Sequence, residues 1–485
     1  MKGTNLKRTL SVLGILAATV FMAALPLQAQ QKSAPPPPGK ARPVNLPKIT
    51  EKKLANGLTV VMAPLANVPK ITALLSIKAG QATGREKHPG IAQLAATVAN
   101  EGTDTRSSKQ LKEELRSMGG ALGFNTNQDA TVMSASALSE FSARLLDLMS
   151  DVVQHPAYPE NEVALAKTNT IQSISAARAD PNFLAGERFQ KTIFGDHPYG
   201  FVLADEKSIN AVTRADLKEF AATYYAPNNS ILVVVGDFNP DKLFIEIEKA
   251  FNSWKSRQLP PEPALTAAPR AKRQIFFVNR PGSIQSTIYL GNVTIARKDK
   301  DYFAIRTADT IYGGSFYSRL TRNIREEKGY TYSPFSASTT LARSGYFLVG
   351  ASVRNEVTGP TLKEIFYELD RMRSAPVTAE ELDAAKAYST GNFSVELASQ
   401  SGLAGRINTV YLYDLPRDFI TTFKPKIDAL TAADIQKAAT AYFDQSGFAV
   451  VIVGDYDKVK DQVGAYGDVT LYDAEGNVVP KTATR

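Results

Sequence analysis

The feature that most constrains the fold of this chain is an internal repeat. The stretch from Val212 to Phe238 recurs, with the same order of residue types, from Leu430 to Tyr456. A constant offset of 218 positions relates four pairs of anchor residues: Thr213 and Thr431, Asp216 and Asp434, Tyr224 and Tyr442, and Gly236 and Gly454. A single offset across four anchors predicts a duplicated domain. In both copies a Thr precedes an Asp by three positions, which is typical of a helix capping box, so we expect these pairs to be structural.

Hydrophobic periodicity predicts strands and helices in alternation through the first half of the chain. The predicted strands cover 58–62, 71–77, 131–138 and 231–235, and the predicted helices cover 90–103, 108–118, 140–153 and 159–178. The continuous apolar run 231–235 favours a strand that is covered on both faces. Together with the repeat, this pattern predicts an α+β fold of two homologous α/β-sandwich domains, arranged as clamshell halves and joined by a Pro-rich linker.

Composition shifts indicate where these domains begin and end. Residues 1–29 have a basic start, an apolar run and a small-residue cleavage site, which predicts a secretory signal peptide. A retained membrane anchor is the alternative, although the apolar run is short for a span of ~20 residues. The further predicted segments are a Pro-rich linker (30–48), a first domain (49–257), an interdomain linker with four prolines (258–273), a second domain (274–460) and a C-terminal tail (461–485).

Composition also excludes several classes of chemistry. The chain has no cysteine, which excludes disulfides, thiolate zinc sites and cysteine nucleophiles. Its three histidines, His88, His155 and His197, are too far apart for any two to form an H-x-x-x-H or H-x-x-E-H pair. The net charge is +8, but the basic residues are scattered among acidic ones, so we do not expect a nucleic-acid-binding surface.

The stretch from Gly313 to Ser333 holds two candidate binding residues, Arg325 and Tyr332. Phe316, Leu320 and Ile324 recur every four residues and predict the buried face of a helix that begins near Ser315 and ends at Lys328-Gly329. The Tyr, Ser and Thr residues after Gly329 predict a strand.

A tight turn at Gly329 would bring Arg325 close to Tyr332. A guanidinium and a phenol hydroxyl that converge on one point could hold a carbonyl or an oxyanion. Spacing alone leaves an alternative, in which Arg325 pairs with Glu326 or Glu327 in solvent and the tyrosines only pack. Tyr330 competes for the role of Tyr332, because residues two apart lie on the same face of a strand.

This stretch resembles the signature of the second domain in the insulinase/pitrilysin family, the inverzincin metallopeptidases. The family has a Gly-Gly-x-Phe-x-Ser-Arg-Leu run followed by Arg, Glu, Gly and Tyr, and residues 313–332 have the same order. The resemblance extends over about residues 49–456. It implies that the substrate-gripping Arg and Tyr of the family correspond to Arg325 and Tyr332.

The first half resembles the catalytic domain of the same family, but its zinc motif is degenerate. Residues 90–92 and 101–103 match the frame around the family's H-x-x-E-H motif, whose two His bind zinc and whose Glu activates water. In this frame Gln93 and Thr97 occupy the His positions, and Ala96 occupies the Glu position. No carboxylate stands at 172–174, where the resemblance implies a third ligand. The family binds substrate backbone along a strand near 119–124, where this chain departs from the usual Gly-Gly-x-x-Asn-Ala.

The resemblance therefore implies a pseudo-peptidase that binds no metal or other cofactor itself and is not an enzyme on its own. We expect the non-catalytic, substrate-binding subunit of a heterodimeric zinc metallopeptidase that degrades peptides in the periplasm. Its partner would be a homologue that carries the zinc motif. The alternative is a stand-alone peptide-binding protein that acts as a holdase or scaffold. An independent hydrolase is a third hypothesis, for which no nucleophile–base pair is visible.

Overall fold

The structure, a computed structural model, describes residues 46–261 and 266–480. The predicted signal peptide, most of the predicted N-terminal linker, positions 262–265 of the interdomain linker and the last five residues lie outside these ranges. The described residues contain two six-stranded sheets with helices packed on them, and the chain from Leu46 onward forms one compact unit. Among the helices in the described ranges, none is long and apolar enough to cross a membrane.

The first sheet is formed by strands from the first half of the chain, in the order β1-β2-β6-β3-β5-β4. These strands are β1 (Thr50–Lys53), β2 (Thr59–Pro64), β3 (Lys70–Ile77), β4 (Ala121–Thr126), β5 (Thr131–Leu138) and β6 (Ser230–Gly236). Only the β2–β6 pair is parallel. Every residue of β6 is buried, as its apolar run predicts.

The second sheet repeats this arrangement, in the order β12-β7-β11-β8-β10-β9. Its strands are β7 (Gln274–Asn279), β8 (Gln285–Thr294), β9 (Phe335–Thr340), β10 (Gly345–Arg354), β11 (Ala449–Gly454) and β12 (Val469–Tyr472). Across the sheet, the five strands β7-β11-β8-β10-β9 have the same order and directions as the strands β2-β6-β3-β5-β4 of the first sheet. The β7–β11 pair is parallel, like β2–β6. The outer strand β12 comes from the predicted C-terminal tail and runs parallel to β7, so the second sheet includes part of that segment.

Fifteen α-helices surround the sheets in the described part of the chain. They are α1 (Ile91–Ala99), α2 (Ser108–Ser117), α3 (Ser142–Gln154), α4 (Glu160–Ala179), α5 (Pro181–Phe194), α6 (Glu206–Ala211), α7 (Arg214–Tyr224), α8 (Pro240–Phe251), α9 (Tyr302–Tyr312), α10 (Thr358–Ser374), α11 (Ala379–Leu397), α12 (Gln400–Leu412), α13 (Phe419–Asp428), α14 (Ala432–Tyr442) and α15 (Tyr456–Val463). The predicted capping boxes are confirmed: the side chains of Thr213 and Thr431 accept hydrogen bonds from the backbone amides of Asp216 and Asp434 at the start of α7 and α14.

Each half of the chain covers one face of the other half's sheet with a helix. Helix α5, from the first half, packs on β8 and β11 of the second sheet and buries Leu184 and Phe189 against Val451 and its neighbours. Helix α12, which follows α5 by about one repeat length, packs on β3 and β6 of the first sheet. The Ser76 hydroxyl donates a 2.7 Å hydrogen bond to Asn408 Oδ1 in that contact. The two halves therefore share their hydrophobic cores, and the interdomain linker is not their only connection.

Candidate functional site

Two glycines connect α9 to the segment that carries Arg325. The backbone amides of Gly313 and Gly314 both donate to the Asp309 carbonyl, at 2.9 and 2.8 Å. A Cβ atom on Gly313 would lie 2.6 Å from the Ser336 hydroxyl oxygen, so the close approach of β9 requires glycine there. The Asp309 carboxylate also accepts hydrogen bonds from the Ser336 hydroxyl (2.5 Å) and the Ser338 amide (3.0 Å). The turn and the edge strand β9 are therefore both held to Asp309, the turn by its backbone carbonyl and the strand by its buried carboxylate.

The predicted helix from Ser315 is wrong in its first turn. Residues 313–318 form turns, and the regular helical segment that begins at residue 319 continues as a π-helix over Thr321–Glu327. Leu320 and Ile324 are fully buried, as predicted, but Phe316 is 54% exposed because it precedes the helix. A buried ion pair holds the start of this helix: Arg319 donates to both carboxylate oxygens of Glu381, at 2.7 and 2.8 Å.

The π-helix directs Arg325 outward at its last turn. The Lys328 amide donates to the carbonyl of Asn323, five residues earlier, at 3.0 Å, and Gly329 follows with φ +63°. The buried Asn323 amide nitrogen donates to the carboxylates of Glu368 (2.9 Å) and Glu364 (3.1 Å) on α10. Because Asn323 and Ile324 face the core, Arg325 projects towards the surface.

Arg325 lies between two exposed aromatic rings. Its guanidinium carbon is 4.2 Å from the centre of the Tyr332 ring and 4.7 Å from the centre of the Phe316 ring. Within the described residues it forms no ion pair, so neither Glu326 nor Glu327 takes the place that spacing alone left open for them. A guanidinium stacked in this way keeps its N–H groups, which lie in the plane of the fork, available to a ligand.

Tyr332 and Tyr330, the two candidates for the phenol beside Arg325, lie in different environments. Tyr332 is 76% exposed and faces Arg325, whereas Tyr330 is half-buried and packs against the core of the second half. The predicted strand at these residues is wrong, because 329–334 form a loop and β9 begins only at Phe335. The structure thus brings Arg325 and Tyr332 together through ring stacking across a loop. Sequence reasoning missed Phe316 as the second ring, because its spacing matched a core position.

The degenerate zinc-motif positions lie on α1 and do not fit a zinc ion. Gln93 and Thr97 are exposed one turn apart, with Gln93 Nε2 3.4 Å from Thr97 Oγ1, which itself donates to the Gln93 carbonyl at 2.9 Å. Ala96 is buried and has no group that could accept a proton. Helix α4 packs on α1, and the residues at the expected third-ligand positions on α4 are Gln172, Ser173 and Ile174, none of them a carboxylate. Over residues 46–261 and 266–480, no group of three or more His, Asp or Glu side chains could hold a metal ion.

The edge strands of the two sheets differ in their free hydrogen-bonding groups. Strand β9 is closed on its outer side, since its Ser336 and Ser338 amides are bonded to Gly313 and Asp309. Within the described residues strand β4 pairs with β5 alone, and a Cβ on its Gly123 would meet no atom within 4 Å. Of the two, β4 is therefore the edge that is open to another strand.

Two family models match this chain. The model for "Insulinase (Peptidase family M16)" matches residues 59–207, and the model for "Peptidase M16 inactive domain" matches residues 211–388. The chain belongs to the insulinase family of M16 peptidases. It is a member in which the catalytic zinc motif is missing, since Gln93, Ala96 and Thr97 stand in its place.

Known relatives of this M16 protein match most of its length. An uncharacterized zinc protease of Rickettsia bellii is 28% identical over 82% of this chain and 96% of its own length. The crystal structure of a peptidase M16 inactive domain from Pseudomonas fluorescens is 26% identical, with a TM-score of 0.78 over 84% of this chain and 98% of that one. The periplasmic protease PqqL from Escherichia coli shares the fold, at 18% identity and a TM-score of 0.73, over 90% of this chain and 50% of PqqL.

Proposed function

We propose that this M16 protein is the non-catalytic, substrate-binding subunit of a heterodimeric zinc metallopeptidase that degrades peptides in an exported compartment. One observation carries the proposal. The chain presents Arg325 and Tyr332 together at its surface, while α1 presents Gln93, Ala96 and Thr97 where the family's metal ligands and base would stand. A zinc-bearing homologue would supply the metal and the activated water.

Arg325 and Tyr332 would act on the carbonyl group of the peptide. The guanidinium and the phenol hydroxyl both donate hydrogen bonds, so they favour a carbonyl oxygen that gains negative charge. The rings of Phe316 and Tyr332 both contact the Arg325 guanidinium and restrict its rotation before a peptide binds. This restriction lowers the entropy cost of binding.

The shared cores of the two halves support the need for a second chain. Since α5 and α12 pack each half on the other, the described chain is one compact unit, and the Arg325–Tyr332 pair lies on its surface. A catalytic chain could close over this surface. The match to PqqL covers half of that longer chain, which leaves room there for a second unit of similar size.

We also propose that the protein is periplasmic. The basic, apolar leader at 1–29 and the absence of cysteine for a lipid anchor support export in soluble form. The periplasmic description of PqqL supports the same compartment.

The proposal is tested by assay of the purified chain with a homologue that carries an intact H-x-x-E-H motif. We expect cleavage of a quenched fluorescent peptide by the mixture and by neither chain alone. Arg325→Ala or Tyr332→Phe should lower turnover on the order of 100-fold, while size-exclusion chromatography shows an unchanged complex. Arg322→Ala is the matched control, because Arg322 is exposed on the same π-helix and its side chain has no partner in the described chain.

Wild-type turnover by a complex with both Arg325 and Tyr332 replaced would refute the proposed role. Isolation of the chain from native extract as a self-contained dimer that binds unfolded peptides, with no zinc-bearing homologue, would favour the stand-alone binding protein instead.

A further inference from the structure

A cavity of about 540 Å³ lies directly beside Tyr332. It is bounded by the loop 329–333, by β8 and β10 of the second sheet, and by Asn182 at the start of α5. The Thr331 hydroxyl donates a 2.6 Å hydrogen bond to the Ser352 carbonyl, which holds the loop to β10. The volume is within the range of pockets that bind small ligands, about 300–1,000 Å³.

Aromatic rings form the walls of this cavity. Phe335 lies edge-on to Tyr289, with ring centres 5.9 Å apart, and Tyr330 and Tyr332 contribute from the loop. Gly350 makes this packing possible, because a Cβ there would lie 2.4 Å from the Phe335 ring. These walls suit the apolar part of a peptide.

One cation lines the cavity without an opposing acid. Arg354, the last residue of β10, is exposed and stands opposite Gln285 of β8. Its side chain makes no hydrogen bond or ion pair in the ranges that the structure describes, and no Asp or Glu is among the residues that line the cavity. Asp180, the N-cap residue that precedes α5, is not among the lining residues, and its Oδ1 accepts hydrogen bonds from the amide and side chain of Asn182, at 2.9 and 3.1 Å.

On the basis of the proposed function, we infer that this cavity binds a carboxylate of the peptide whose carbonyl is held by Arg325 and Tyr332, and that Arg354 determines this preference. A guanidinium fork matches a carboxylate in a bidentate geometry. Gln285 can add an amide hydrogen bond at the same end of the sheet. The carboxylate belongs either to an Asp or Glu side chain or to the free C-terminus of the peptide, and both present the same two oxygens.

Four fluorescent peptides distinguish these sources. They share one sequence and carry either Glu or Gln at one position, each with a free or an amidated C-terminus. Binding to the full chain is measured by fluorescence anisotropy, in complex with the homologue after the Glu of its zinc motif is replaced by Gln. Arg354→Gln should weaken binding about tenfold, the effect of one lost charge-assisted hydrogen bond, for peptides with the recognised carboxylate. The amidated Gln peptide should bind both proteins equally.

Arg257→Gln is the matched control, because Arg257 is an exposed arginine outside this cavity. If Arg354→Gln weakens the binding of the Glu peptides alone, the recognised carboxylate is the Glu side chain. If it weakens the binding of the peptides with a free C-terminus alone, the recognised carboxylate is the C-terminus. Equal binding of all four peptides by wild type and Arg354→Gln, or an equal loss in Arg257→Gln, would overturn the inference. Those results would leave the proposed function intact, whereas that function fails if Arg325→Ala and Tyr332→Phe together leave turnover unchanged.

Discussion

Removal of the Arg319 side chain should lower the free energy of unfolding of the protein by about 3 kcal/mol at pH 7. Arg319 is 8% exposed and bonds both oxygens of Glu381. Burial alone would raise the pKa of Glu381, but the hydrogen bonds from Arg319 and Thr378 outweigh it and lower the pKa to about 2. Relative to an ordinary value of 4.5, that shift corresponds to about 3 kcal/mol, and loss of one partner of a buried pair costs about 3–5 kcal/mol.

The sign of the pH dependence follows from the lowered pKa. The contribution of Glu381 is fully present above pH 4.5 and is lost as the pH falls towards 2, so it should be about half as large at pH 3. Urea unfolding of wild type and Arg319→Ala, followed by circular dichroism at pH 7 and pH 3, measures both values. A double-mutant cycle with Glu381→Gln isolates the pair. The same loss at both pH values, or a coupling energy near zero, would refute the reasoning; Arg322→Ala should change stability little.

Two further predictions concern the turn beneath the site. Burial raises the pKa of Asp309 to about 6, only partly offset by Ser336 and Ser338; since its folded-state pKa lies above the ordinary 3.8, protonation stabilises the fold. The stability of wild type relative to Asp309→Asn should therefore fall by about 2 kcal/mol as the pH rises from 4 to 7, and a flat difference in urea unfolding would contradict this. Gly313→Ala should cost about 1–3 kcal/mol because its Cβ would meet Ser336 and Leu320 within 2.7 Å. Gly123→Ala is the control and should leave the stability nearly unchanged, because its Cβ would meet no atom within 4 Å. Equal melting temperatures of the Gly313→Ala and Gly123→Ala variants would contradict the packing argument.

Much of the secondary structure could be predicted because its causes are local. Strand β5 has the predicted bounds, Thr131–Leu138, since its alternating pattern is bounded by turn residues on the preceding side. The two capping boxes, at Thr213 and Thr431, form within three residues of the chain. Phe316 and the loop after Gly329 were predicted wrongly, because the buried Arg319–Glu381 pair and the Asp309 carboxylate, which involve distant residues, decide the path of the chain there.

The residues around the candidate site divide in the same way. Arg325 and Tyr332 are seven positions apart, so a motif could indicate both. Arg354, Gln285 and Asn182 meet at one cavity from three separate segments, and no pattern along the chain connects them.

By itself, the sequence determined that this protein is a duplicated α+β chain of the M16 type without its zinc ligands, because repeats, caps and missing side chains can be read residue by residue. Only the tertiary structure decided that the halves exchange α5 and α12, that a π-helix and two rings orient Arg325, and that a cavity with an unopposed arginine lies beside Tyr332. Those features depend on which distant surfaces pack together, and the burial of apolar area that selects the packing is a property of the whole fold.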